Sequence, residues 1–405
     1  MIYQSTLSST LSSTLGATLR AAVLLLLPAT ALAQAGGLDS PGKPLYGRLG
    51  QATRFSPEFN PAFGVVIDTY VDFSDNDEAD GFDADLRLME LNAASHVDPN
   101  AWAYIVLSSE SAESPTVEEA ALVYTGFEGN STLKAGRFFV DFGKQMQWHP
   151  EALRTLERAL VLREFLGEEL AGTGAQFGHW LPVGDTSVVR FSVGAFASLL
   201  SEQEDEEAPE SSVAERRNFD EFSFTARLTG MTDVGDNGQM QLGVSARVVP
   251  EFTFEAAGLR REGLSNSVYG LDFTYGHADD TGLSSTVVGA EYLVFDGDLS
   301  AALDDQDNPT SLEIVDDAVT GALLYADYGW NGRDSAGVQY SFLEEPENPD
   351  SDVSEIDFYF TRNLTEFRRA RLGVTFADSD STGDEVRVYL QFTAFFGSHA
   401  HGADW

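Results

Sequence analysis

Six histidines and no cysteine set the limits of what this chain can coordinate. His399-Ala400-His401 has the spacing that puts two imidazoles on one side of an extended strand, and Asp404 is near enough to add a third donor. His149 stands alone beside Pro150. A structural zinc site takes about four ligands, and these residues do not make a full set. No cofactor is implied, and zinc at His149, His399 and His401 is kept as an alternative. Asp378 to Gly383 opens like a calcium loop, but its twelfth position is Tyr389, which cannot serve as the bidentate ligand. No Gly-x-Ser-x-Gly elbow occurs, and the serines near His179 and His277 have no triad spacing, so an enzyme is not expected.

Charge is the larger resource. Lys and Arg number 24 against 65 Asp and Glu, a formal net charge of -41, which argues against a nucleic-acid partner. With 43% hydrophobic and 11% aromatic residues, the chain is too apolar for a disordered acidic polymer. The acids therefore belong on wet surfaces around a large buried or lipid-facing area. Segment 199–218 alone carries Glu202, Glu204, Asp205, Glu206, Glu207 and Glu210. Solvated loops explain these acids; so would bridging through divalent cations to anionic lipid or lipopolysaccharide.

About sixteen stretches of nine to thirteen residues alternate apolar with polar. They are expected near 63–73, 84–95, 101–109, 116–127, 131–139, 173–181, 186–198, 219–230, 238–249, 267–277, 284–296, 318–329, 334–343, 353–362, 368–377 and 385–396. In the last, Val386, Val388, Leu390, Phe392, Ala394 and Phe396 oppose Arg387, Tyr389, Gln391 and Thr393. The gaps run long, short, long, short, as they must when tight turns lie on one side of a bilayer and loops on the other. The reading is an all-β, up-and-down antiparallel transmembrane barrel of about sixteen strands with one infolded helical loop. Stretch 101–109 is apolar on both faces and fits less well.

The N-terminus reads as a secretory signal over 1–33: Arg20, then the apolar run Ala21 to Leu27, then Ala31-Leu32-Ala33. A periplasmic segment follows over 34–62, the barrel over 63–397 and a histidine-containing tail over 398–405. Only 29 residues separate the expected cleavage site from the first strand, too few for a plug domain.

Segment 140–172 differs from the other gaps. After His149 and Pro150, Leu153, Leu156 and Leu160 mark one helical face, and Glu151, Arg154 and Arg158 another. By strand parity this is the third outward loop, placed to fold inward. Arg154, Arg158, Glu164, Glu168 and Glu169 of that loop would face Arg190, Arg227, Arg247, Arg369, Arg371 and Arg387 on the polar faces of strands. Such a pairing would screen solutes by size and charge.

Lys134-Ala135-Gly136-Arg137-Phe138-Phe139, Phe142-Gly143, His149, Pro150, Leu160-Val161, Phe165 to Glu169, Gly174 and Leu181-Pro182 resemble a family of proteobacterial outer-membrane barrels. Its members are labelled porins or zinc-regulated TonB-dependent outer membrane receptors. The ending Leu390 to Thr393, Gly397, His399 and His401 is similar to theirs. Where that family has a second histidine after the one matching His149, Glu151 stands here. The resemblance implies a barrel in the outer membrane of a Gram-negative bacterium. Combined with the pattern, it gives the expectation of a passive channel for small hydrophilic solutes or ions, with a homotrimer expected by analogy. The alternatives are a substrate-specific or zinc-linked uptake receptor, and a non-conducting structural or adhesive barrel.

Overall fold

Hydrocarbon offers nothing to a free N–H or C=O, so a membrane sheet must have no edge. In a computed structural model the chain meets that condition by closing sixteen antiparallel strands into one barrel. The structure describes residues 62–397 apart from 77–79, 112, 198, 200–217, 257–258, 301–313, 347, 350 and 380–382. The segments expected at 1–33 and 398–405, most of 34–62 and nearly all of the acidic run 199–218 lie outside the described residues.

The strands are β1 (Ala62–Ser74), β2 (Gly81–Asp98), β3 (Ala101–Ser109), β4 (Thr116–Tyr124), β5 (Ser131–Phe139), β6 (Ala171–Val183), β7 (Ser187–Phe196) and β8 (Ser223–Val234). They continue as β9 (Gly238–Ala256), β10 (Leu259–Ala278), β11 (Ser285–Ser300), β12 (Ile314–Trp330), β13 (Asp334–Glu344), β14 (Asp352–Thr365), β15 (Arg368–Ser379) and β16 (Glu385–Gly397). Each pairs with its neighbours in sequence, and β1 pairs with β16 from Gly64↔Gly397 to Ser74↔Arg387. All sixteen expected stretches are strands.

Alternation sorts the side chains as expected. On β16, Val388, Leu390, Phe392 and Phe396 are exposed outward, while Tyr389, Gln391 and Thr393 are buried inside. Phe63, Val71, Leu271, Leu324, Phe358 and Leu372 extend the apolar outer face to other strands. A belt of that extent belongs against hydrocarbon. No helix among the described residues is long and apolar enough to span a membrane, which says nothing of strands.

Two differences have physical causes. Residues 250–266, read as a loop, are largely the paired continuation of β9 and β10, with Glu255 opposite Arg260. Beyond the lipid a strand needs no apolar face, so the pattern that reveals it fades. β3 is apolar on both sides because its inner residues Trp102, Tyr104 and Val106 join a buried cluster instead of facing water. Inside the wall, Tyr325, Tyr359 and Tyr389 are register partners of Gly289, Gly337 and Gly373. Each ring covers the place where a glycine Cβ would be, so the missing side chain lets the tyrosine lie against the neighbouring strand.

Candidate functional site: an infolded segment and a buried carboxylate cluster

The chain between β5 and β6, residues 140–170, turns into the barrel and packs there. Its entry depends on Gly143, whose φ of 54° is left-handed. A Cβ at this position would collide with the Glu291 carboxylate of β11. With glycine present, Glu291 accepts the backbone N–H groups of Lys144 at 3.0 Å and Gln145 at 2.9 Å. Pro150 then starts a single 3-10 turn, Pro150–Ala152, where its missing N–H is harmless.

The continuous helical face expected through Leu153, Leu156 and Leu160 does not form. Residues 153–159 are irregular, and the α-helix is α1, Leu160–Leu166. Arg158 ties this irregular stretch to the chain on either side of it. Its buried guanidinium donates to the main-chain carbonyls of Gln145 at 2.8 Å, Trp148 at 2.7 Å and Glu168. Leu160, Val161, Phe165 and Leu166 pack with Phe295, Val319, Leu323 and Leu343 of the wall.

Polar contacts pin the segment around the lumen. Asp141 is held by Arg190 and Ser192 of β7 and lies 3.4 Å from Arg227 of β8. Burial works against its charge, but the two guanidiniums outweigh this and keep its pKa below the usual carboxylate value. Arg227 also pairs with Asp272 at 2.9 Å. Arg163 meets Glu355 of β14 at 2.8 Å. Arg371 donates to the Thr155 carbonyl at 3.0 Å and Arg369 to that of Glu151. Arg387 bridges Asp72, at 2.8 Å, and Glu157.

Of the other expected site residues, Arg154 lies over the rings of Trp148 and Tyr325, 4.5 and 4.1 Å from their centroids. Arg247 donates to the Leu199 carbonyl at 3.1 Å and to Asn266. Glu164 and Glu168 are exposed. Glu169 is partly buried, within electrostatic range of Glu118, His149 and Arg158. His399 and His401 fall outside the described residues.

Two cavities border the segment. One of about 320 Å³ lies toward the long-loop end, between α1 and β13–β16. Glu157, Glu164, Glu345, Glu355, Asp357 and Glu385 line it, with Arg163 and Arg387 as its basic residues. The second, about 30 Å³, lies toward the short-turn end and is lined by Asp141, Lys144, Arg190 and Arg227 among others. The outer cavity is thus acidic and the inner one basic.

Alternation breaks once in β4, and this hides a group that the sequence reading missed. Val106 pairs with Glu119 and Leu107 with Val117, so Glu118 is an extra residue, a bulge. Glu118 and Glu119 are consequently both buried, only 4% and 0% exposed. His149 lies among them: Nδ1 is 2.8 Å from Glu118 Oε1 and 3.7 Å from Glu90 Oε2, and Nε2 is 3.0 Å from Glu119 Oε1. Glu119 also accepts from the Tyr104 hydroxyl at 2.7 Å and the Phe139 N–H at 3.1 Å, and Lys134 lies 3.5 Å away. Burial opposes a charged imidazole, but Glu118 and Glu119 outweigh it and raise the His149 pKa well above its ordinary value. Adjacent glutamates in a strand are the available signal, since strict alternation would put one of the two on the lipid face.

No protein-family model matches the sequence, and no curated protein matches it either. Solved structures do match in fold. OprB of Pseudomonas putida aligns with a TM-score of 0.54 at 10% identity, covering 83% of this chain and 94% of that one. An anion-selective porin from Comamonas acidovorans gives 0.53 at 11% identity, covering 82% and 98%. The trimer form of OmpT, an outer membrane protein of Vibrio cholerae, gives 0.51 at 10%, covering 82% and 98%. These likenesses are in fold, the closed sixteen-strand barrel. The receptor label attached to the resemblance is not supported, since the similar structures are porins and channels.

Proposed function

We propose that this chain is a porin-like channel of the Gram-negative outer membrane, passing small hydrophilic solutes or ions by passive diffusion. One observation carries the reading: the third long connection lies inside a closed sixteen-strand barrel and leaves a charged cavity against the wall. An eyelet held by fixed ion pairs filters by size and charge without chemistry, so no catalytic step is assigned. Arg387, Glu157 and Glu164, which line the outer cavity, are the groups we expect a solute to meet, with Arg154 stacked on Trp148 and Tyr325. Arg158, Arg190 and Arg227 brace the segment through internal partners, while Arg247 holds Leu199 and Asn266. The acidic outer cavity favours cations. A homotrimer is consistent with the trimer form described for the Vibrio cholerae protein. Acidic outer loops and anionic surface lipid would associate through divalent cations.

Purified protein added to a planar lipid bilayer is the test. Stepwise ohmic conductance supports the channel, and silence at saturating protein refutes it. Silence would select the second reading, a non-conducting barrel, which the apolar cluster packed inside the lumen favours.

A further inference from the structure

We propose that Glu90, Glu118 and His149 bind one divalent transition-metal cation, of the zinc or manganese kind, which staples the infolded segment to the barrel wall. One ligand atom from each lies within 4.8 Å of the other two. A single ion at roughly 2.0–2.2 Å from each donor spans about that distance. All three residues are buried and come from separate elements, β2, β4 and the segment 140–170. The ion would therefore join parts of the chain that nothing covalent holds together.

Three further observations point to a cation. Glu118 is 4% exposed, and its Oε2 has no hydrogen-bond partner, although Oε1 faces His149. That oxygen is what a metal would take. The imidazole is already oriented: Glu119 sits 3.0 Å from Nε2 and can accept its proton, so a cation displacing the Nδ1 proton would meet Glu118 and Glu90 on that side of the ring. A carboxylate behind a ligating histidine fixes the ring and its tautomer in metal sites generally. Glu119 is itself fixed by Tyr104 and Phe139, and Glu90 by Asn92 at 2.9 Å.

Charge gives the third argument. Glu90, Glu118 and Glu119 meet His149 and Lys134, and Glu151 adds negative charge around the same imidazole. A dication beside a neutral ring balances this set more fully than a single proton does. One nitrogen with carboxylates suits zinc or manganese; calcium and magnesium prefer oxygen throughout.

The test uses the full chain folded in detergent, stripped with EDTA and dialysed against zinc alone. One equivalent should bind at micromolar or lower free zinc. Affinity should fall at least tenfold in Glu118→Gln. It should persist in Asp279→Asn and in the double variant His399→Asn, His401→Asn. Equal binding by wild type and Glu118→Gln, or binding lost with the tail histidines, overturns the proposal. If Glu118→Gln does not fold, zinc-edge anomalous scattering from wild-type crystals decides. A peak between Glu118 and His149 Nδ1 supports the site, and no peak there refutes it. These measurements do not depend on conductance, so a silent bilayer would leave this site standing.

Discussion

Arg163 of α1 and Glu355 of β14 meet at 2.8 Å inside the barrel, 192 positions apart in the chain. The pair borders the outer cavity and ties the only α-helix among the described residues to the wall. Removing either partner leaves α1 held mainly by its apolar face. Arg163→Gln and Glu355→Gln should each raise single-channel conductance and its noise. The double variant should behave like either single one, because all three lack the same contact. Three unchanged traces would show that the pair does not shape the opening.

Gly143→Ala places a Cβ on a left-handed residue and against Glu291. The expected loss is about 1–3 kcal/mol of stability. It would appear as a lower temperature at which the folded, fast-migrating form disappears from unboiled gels. An unchanged midpoint would mean that the entry turn can be rebuilt without glycine.

The outer cavity sets six carboxylates against two arginines. A reversal-potential measurement across a potassium chloride gradient should show cation preference. Glu164→Gln with Glu385→Gln should reduce it. The preference should weaken between 0.1 and 1 M salt, as the screening length falls from about 10 to about 3 Å. Anion preference in the unmodified protein would contradict this assignment of the opening.

Leu390 points outward from the middle of β16 while its neighbour Gln391 is buried. Leu390→Arg should lower folded stability by roughly 2–4 kcal/mol if that face meets mid-bilayer hydrocarbon. Folding yield into lipid vesicles measures it. Undiminished yield would place the residue at a wet or subunit-facing surface.

How much the sequence disclosed follows from the same contrast between lipid and water. Wherever one face of a strand meets hydrocarbon, alternation marks it, which is why Arg190, Arg227, Arg247, Arg369 and Arg387 were readable as inward. The infolding of residues 140–170 followed from parity and from Pro150. Its internal form did not, because Arg158 organises it through backbone carbonyls that no side-chain pattern records. Glu118 escaped notice for a different reason. A bulge is one residue of slippage, and counting in twos cannot detect it. Glu90 belongs to a different strand from Glu118, and only the fold brings it to His149.

Gly64 and Gly397 face each other at the seam between β1 and β16. These strands stand at opposite ends of the sixteen, so until they meet the wall is a sheet with two open edges. Once the cylinder is shut, so branched a knot of side chains as residues 140–170 could enter it only through the mouth. Closure and filling are therefore a single problem for this chain: the seam that seals the wall also encloses what furnishes the interior.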